Sequence, residues 1–192
     1  MSWPWPWPER PQVLAGPGSP RHLVGATERP VRLTGETVTV PLAIDSRSIA
    51  PLRAAGRAGE QQHRAFLDIE HIDAERNPGI VYGVFVNLPG QPSDADLASH
   101  FAGNISLFGI EAARNPRGDE HPHSLRVSLD ITRLLDRLAA DGTWTDGHSL
   151  EVTFRPTTLQ APPGQDDLAR ELADTAHPDL SITIGRVSIH YS

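Results

Sequence analysis

The chain has 192 residues, of which 38% are hydrophobic, and a formal net charge of −7. This length predicts one domain with appendages, and the negative charge argues against nucleic acid or an anionic membrane as a partner. The sequence contains no cysteine, which excludes disulfides, thiolate catalysis and cysteine-ligated zinc.

Residues 1–20 form a segment rich in proline and tryptophan, with Trp-Pro pairs that begin at Trp3, Trp5 and Trp7. Proline removes backbone donors and biases the preceding residue toward extended backbone, so we predict an irregular, polyproline-like tail ahead of a domain at 21–192. The three tryptophans are either a docking motif for a partner or indoles that lie on the surface of that domain. Neither a charged start with an apolar run nor a membrane-spanning stretch is found in the sequence. We therefore expect a cytoplasmic chain that is exported only with a partner.

From His22 onward, β-strand signals recur at the spacing of a sandwich. An alternating run at 37–44 is followed by a segment at 46–59 that lacks alternation and is predicted to be a loop. The later strand signals lie at 65–72, 80–88, 101–108, 125–129, 149–155 and 180–190.

The two runs between Ala65 and Pro89 flank the turn sequence Asn77-Pro78-Gly79. Proline fixes φ and glycine accepts a positive φ, so we predict a hairpin. The second run has apolar residues on both faces of an extended chain, which predicts a strand in the middle of the sandwich. In the first run, Asp68 and Glu70 lie two residues apart, a spacing that favours a solvated side of a sheet over a catalytic carboxylate pair.

One helix is predicted at about 130–140. Asp130 can cap it, and Asp141-Gly142 can end it. Between them, apolar residues at helical spacing form one stripe, namely Ile131, Leu134, Leu135 and Leu138. A second short helix is predicted at 165–175. The predicted fold is therefore mainly β, a jelly-roll-like antiparallel β-sandwich with one short amphipathic helix.

The best metal candidate is the pair His121 and His123, which flank Pro122. Imidazole suits Cu(II) or Zn(II), and Asp119 or Glu120 could complete a surface site. The alternative is an exposed polar loop. The isolated His71 and His190 are expected to be partly buried and hydrogen-bonded within strands. The hydrolase, metalloprotease and nucleotide-binding motifs are missing from the sequence, and we predict no catalytic residue.

Several short segments follow one another in a fixed order between residues 22 and 191. They are Leu23–Thr27, Pro30–Gly35, Leu67–Glu70, Tyr82–Pro89, Phe101–Gly103, Ile105–Gly109, Leu129–Ile131, Leu150–Pro156 and Ile184–Ile189. In this order they resemble the C-terminal β-sandwich domain of type-3 copper polyphenol oxidases, the tyrosinase and catechol oxidase family.

In those oxidases, a helical domain binds two coppers through three histidines each, and the C-terminal domain covers the entrance to the dicopper site. Two histidine ligands on one helix must be three or four residues apart, and no such pair occurs among the nine histidines here. The resemblance therefore implies a non-catalytic accessory domain without a cofactor of its own. Its partner would be a tyrosinase-like catalytic domain that holds the copper, and a loop side chain would cover the entrance to that copper site.

Contacts to such a partner are predicted at Tyr82, Phe85 and the three tryptophans of the tail, with the alternative that Tyr82 and Phe85 belong to the core. Two other functions stay open. A copper-delivery protein would use His121 and His123, and a free-standing sandwich would bind a glycan or small molecule in a groove.

Overall fold

A computed structural model describes residues 21–45, 47, 64–114, 123–144, 149–157 and 180–192. The predicted tail at 1–20, nearly all of the predicted loop at 46–59, the predicted helix at 165–175 and His121 lie outside these ranges. The described elements are strands β1 His22–Ala26, β2 Val31–Leu33, β3 Val38–Ile44, β4 Ala65–Ala74, β5 Val81–Val86, β6 Phe101–Ile105, β7 Leu125–Asp130, β8 Ser149–Thr157 and β9 Ile182–Tyr191, with helices α1 Asp94–His100, α2 Ile110–Arg114 and α3 Thr132–Ala140.

The strands form one antiparallel sheet in the order β6-β5-β8-β3-β1-β9-β4-β7, with β2 also paired to β9. The sheet curls until its two end strands approach each other, since a Cβ placed on Gly103 of β6 would lie 2.8 Å from Leu129 Cδ2 of β7. The enclosed core is built from aliphatic side chains with Tyr82, Trp144 and Phe154. The predicted mainly β antiparallel fold is confirmed.

Within the described ranges, one short ladder joins the two halves of this sheet, β6-β5-β8-β3 and β1-β9-β4-β7. It consists of the pairs Gly25↔Ile44 and Ala26↔Ala43 between β1 and β3. The Asp45 amide extends the ladder by donating to the carbonyl of Val24 at 3.0 Å. These few residues therefore hold the halves together along one side of the core.

The predicted hairpin of β4 and β5 is wrong. Gly79 has a φ of +67° and its amide donates to Asn77 Oδ1 at 3.0 Å, so the predicted turn does form. However, β4 pairs with β9 and β7, whereas β5 pairs with β8 and β6. The connection at 75–80 is longer than a tight hairpin loop, and it carries the chain from one half of the sheet to the other. The central position of β5, buried along nearly its whole length, is confirmed.

The alternation of core-facing residues shifts by one residue in both β4 and β9, at the same position of the ladder that joins them. In β4, the buried apolar residues change from odd to even numbers on either side of His71, whose φ is +56°. In β9 the same change occurs around Gly185, where an added Cβ would lie 2.7 Å from His71 Cβ. The switch turns the imidazole of His71 outward, with Nδ1 3.2 Å from Ser124 Oγ. The prediction that His71 is partly buried is therefore wrong.

Helix α3 confirms the predicted amphipathic stripe, because Ile131, Leu134, Leu135 and Leu138 are all buried. The N-cap position is taken by Ile131 and not by the predicted Asp130, which lies one residue earlier. Asp130 still accepts hydrogen bonds from the amide of Thr132 at 3.0 Å and from its hydroxyl at 2.6 Å. The carboxylate thereby satisfies a first-turn N–H that has no partner within the helix.

Helix α1 lies between the predicted strands at 80–88 and 101–108, where no helix was predicted. A reciprocal cap starts the helix, in which Ser93 Oγ accepts from the Asp96 amide at 3.2 Å and Asp96 Oδ2 accepts from the Ser93 amide at 2.8 Å. This pattern is local and readable in the sequence. None of the helices in the described part of the chain has the length and apolar character needed to span a bilayer.

Candidate functional site

The most exposed large apolar side chain of the described residues is Phe108, which is 89% exposed. It lies in a turn between β6 and α2, which we call the Phe108 tip, residues 106–110. Its neighbours Leu107 and Ile110 are each only 2% exposed. The Ile110 amide donates to the Leu107 carbonyl at 3.1 Å, and Gly109 adopts a φ of +85° that closes the turn. The aromatic ring is thus held in solvent by a turn anchored on both sides.

Contacts from α2 fix the Phe108 tip to the end of the sheet where β4 stops and β5 begins. Glu111 Oε1 accepts from the amide of Asn77 at 3.0 Å, and Arg114 Nη1 lies 3.7 Å from Asp73 Oδ1. The carbonyl of Ala113 accepts from the His123 amide at 3.0 Å. The tip therefore projects from a braced surface at one end of the domain.

Tyr82 and Phe85, predicted as partner contacts, both lie in the core. Tyr82 is 1% exposed, and its hydroxyl accepts a hydrogen bond from the Gly35 amide at 2.9 Å. Phe85 is 8% exposed and packs edge-to-face on Phe101, with ring centroids 5.6 Å apart. A partner could not reach either ring without opening the core, so the alternative stated above describes them. The predicted contacts Trp3, Trp5 and Trp7 lie outside the described residues.

The predicted metal pair cannot be assembled from the described residues, because they include His123 but not His121. Among those residues, no group of three or more His, Cys, Asp or Glu side chains is arranged to hold a metal ion. Copper or zinc binding at His121 and His123 therefore stays a prediction.

Asp68 lies at the centre of a polar cluster on the outer side of β4. Its side chain is fully buried, although the sequence pattern predicted a solvated acid. Arg126 Nη2 donates to Asp68 Oδ2 at 2.6 Å, and Arg21 Nη1 donates to the same oxygen at 3.3 Å. The guanidinium of Arg21 also lies 4.1 Å above the ring centroid of Phe66. The prediction is wrong because these two arginines cover the carboxylate.

Burial on its own would raise the pKa of Asp68, but it is outweighed by several opposing interactions. Hydrogen bonds involving Ser128 and Arg126, together with the charges of Arg126 and Arg21, hold the pKa of this carboxyl below its usual value. Glu70, with its side chain 22% exposed, lies 3.5 Å from Arg126 Nε and adds a second acid to the cluster. At neutral pH the cluster therefore contains an ionised, buried Asp68.

We expect Asp68→Asn to lower the free energy of unfolding by about 2 kcal/mol, because the guanidinium groups of Arg21 and Arg126 then lose their ion pairs with the buried carboxylate and face an uncharged amide. Urea unfolding at neutral pH measures this loss. The matched control is Asp73→Asn, whose carboxylate is 57% exposed beside Arg114 and should cost about 0.5 kcal/mol or less. Equal losses in the two variants would contradict the role assigned to Asp68.

His190 borders the same cluster. Its Nε2 lies 3.1 Å from Ser188 Oγ and 3.7 Å from Asp68 Oδ2. Its Nδ1 is buried without a hydrogen-bond partner among the described residues. The histidine is partly buried as predicted, but the expectation that it is fully hydrogen-bonded is wrong. Serine and aspartate face the same ring nitrogen, whereas a Ser-His-Asp triad needs them on opposite nitrogens.

Protonation of His190 would place an N–H at the buried Nδ1, for which the described residues provide no acceptor. Burial accordingly lowers the pKa of His190 from 6.5, Asp68 and Glu70 oppose that shift, and Arg186 and Arg21 add to it. The unfolded chain then binds this proton at a higher pH than the folded chain does. Stability contributed by the neutral imidazole is present above pH 6.5 and is lost as the pH falls through the folded pKa.

Replacing His190 with glutamine should therefore flatten the pH dependence of stability between about pH 7 and about pH 5. Urea unfolding of the wild type and of His190→Gln across this range tests the effect. His71→Gln is the control for the substitution itself, because that imidazole is exposed and hydrogen-bonds to Ser124 outside the Asp68 cluster. A His190→Gln slope identical to that of the wild type would refute the prediction.

Comparison with known proteins gives three results. A family model described as "Domain of unknown function (DUF7868)" matches residues 20–192. "Tyrosinase HcTyr1" from Hahella sp. (strain CCB-MM4) is 21% identical over 168 residues, which cover 88% of this chain and 32% of that protein. This chain thus spans about a third of the length of the curated relative it matches.

Two solved structures have a similar backbone. Recombinantly expressed latent aurone synthase (polyphenol oxidase) aligns with a TM-score of 0.46 and 19% identity, covering 86% of this chain and 26% of that one. Latent apple tyrosinase (MdPPO1) aligns with a TM-score of 0.45 and 18% identity, covering 85% of this chain and 27% of that one.

Proposed function

We propose that this chain, which belongs to the family of domains of unknown function DUF7868, is a non-catalytic accessory domain of a tyrosinase-type dicopper oxidase. The sequence similarity to a tyrosinase extends over most of this chain but only about a third of that enzyme, which supports an accessory part rather than a complete enzyme. In this proposal the coppers belong to the catalytic partner.

The observation that carries the proposal is the exposure of Phe108. A phenylalanine that is 89% exposed beside the buried Leu107 and Ile110 is suited to burial against another surface, and burying it would contribute about 2 to 3 kcal/mol. The anchored turn has little conformational freedom to lose, so most of this gain would remain as affinity.

The proposed mechanism is steric. The Phe108 tip would enter the concave mouth of the catalytic domain and exclude water and phenols from it. Substrate would gain access only after the tip moves away or the accessory domain dissociates. The rigid sandwich would determine where the ring lies, and the catalytic partner would supply all of the redox chemistry.

Mixing the full chain with a separately produced tyrosinase-type catalytic domain tests this function. We expect the two proteins to co-elute in size-exclusion chromatography and the rate of phenol oxidation to fall. A parallel series with saturating Cu(II) distinguishes shielding, which persists under added copper, from removal of copper by the chain. Two proteins that elute separately, with an unchanged oxidation rate, would refute the proposal.

A further inference from the structure

Strands β2 and β3 follow each other in the chain but do not pair. β2 pairs with β9, and β3 pairs with β8 from Val38 to Ala43. On its other side, β3 pairs with β1 only at its last two residues. The first five residues of β3 therefore have an edge without a strand partner in the described part of the chain.

Pro41 lies on this open edge. The Asp45 amide points toward β1, because it donates to the Val24 carbonyl. Backbone direction alternates along a strand, so the nitrogen of Pro41 points the same way. Proline has no N–H to leave unsatisfied there, and its presence discourages another strand from pairing with the edge. The edge is therefore better suited to border an open groove than to receive a further strand.

A groove of about 620 Å³ runs along this edge, beside the β1–β2 connection. Its apolar lining includes Val31, Val38 and Val40. Val38 and Val40 lie on the same face of β3 as the buried Leu42 and Ile44, but they are only partly buried. The groove therefore reaches core-facing side chains, and its volume lies in the range of small-molecule sites.

Of the described residues that line the groove, three are charged, namely Glu28, Arg29 and Arg32. Arg32 Nη2 donates to Ser181 Oγ at 3.1 Å, which orients its guanidinium. Arg29 is exposed and forms no ion pair with a described residue. Two guanidinium groups against one carboxylate leave the rim with a positive excess, in a chain whose net charge is −7.

We propose that this groove is a binding site for a small organic anion with an apolar body. The carboxylate of the ligand would pair with Arg29 and Arg32, which match a planar anion in geometry and charge. Its hydrocarbon or aromatic body would lie on Val38 and Val40, which are only partly buried, beside Val31. The site does not depend on the accessory function, because it uses neither the Phe108 tip nor a partner domain.

The test is an NMR titration of the full chain with 3-phenylpropanoate, compared with the neutral 3-phenylpropanamide. We expect saturable shifts of the Val31, Val38 and Val40 amides with the acid, and binding of the amide that is weaker by about tenfold or more. The double variant Arg29→Gln/Arg32→Gln should weaken binding of the acid by a similar factor. Arg133→Gln, an exposed change on α3, should leave it unchanged.

Circular dichroism and amide dispersion confirm that each variant is folded before its affinity is compared. No saturable shift at the three valines, equal binding of acid and amide, or unchanged binding by the folded double variant would each overturn the site. None of these outcomes bears on the mixing experiment with the catalytic domain, so the two proposals fail separately.

Discussion

Replacing Phe108 with aspartate is expected to abolish most of the inhibition that the chain exerts on a tyrosinase-type catalytic domain. The substitution removes about 2 to 3 kcal/mol of apolar burial, and it also forces a carboxylate out of water. Loss of the burial alone corresponds to an inhibition constant raised about 30- to 150-fold. Because the ring is 89% exposed in the free chain, the fold should be unaffected.

The measurement is the inhibition constant for phenol oxidation, determined beside the melting temperature of each variant. Phe108→Leu should keep most of the inhibition, since leucine can fill much of the same space. Leu23→Ala is the matched control, an exposed apolar side chain on β1 that is 47% exposed and should leave inhibition unchanged. Undiminished inhibition by Phe108→Asp would remove the Phe108 tip from the interface.

Gly25→Ala should produce the largest loss of stability, about 3 kcal/mol. A Cβ on Gly25 would collide with the carbonyl oxygen of Ala43, a backbone atom that cannot rotate away. The collision falls within the two-pair ladder that joins the halves of the sheet. Relief would require β1 and β3 to separate, which would expose the core between them.

Chemical denaturation measures the loss, and thermal unfolding should show a decrease of about 6 to 12 °C. Gly90→Ala is the control, because nothing lies within 4 Å of a Cβ at that position. The control should be neutral or slightly stabilising, since alanine restricts the unfolded chain. A Gly25→Ala variant as stable as Gly90→Ala would show that the β1–β3 ladder does not constrain the fold.

Local patterns in the sequence were sufficient to predict most of the elements. Alternation identified the strands, and the stripe that includes Leu134 and Leu138 identified helix α3, because both periodicities follow from backbone geometry. Helix α1 was not predicted, although Ser93 and Asp96, the two residues that form its reciprocal cap, lie within four residues of the sequence. The capping pattern alone was therefore sufficient to predict where this helix begins.

Other features depend on residues that are distant in the sequence. Arg21 and Arg126 reach Asp68 from 47 and 58 positions away, so the spacing of Asp68 and Glu70 could not indicate burial. The strands that pair with β4 are also determined by competition among strands across the whole sheet. The local turn at 77–79 therefore does not determine which strand pairs with β4. For Phe108, the sequence predicted only that the residue ends a strand at 101–108, and the exposure of its ring is revealed by the fold alone.

The shared switch of β4 and β9 at His71 and Gly185 limits how this domain can change in evolution. In each strand, the set of residues that faces the core changes between odd and even numbers at one position, and the two positions lie opposite each other. An insertion or deletion in one strand alone would turn its aliphatic residues to solvent on one side of the switch. A change of length in β4 should therefore be tolerated only together with a matching change in β9.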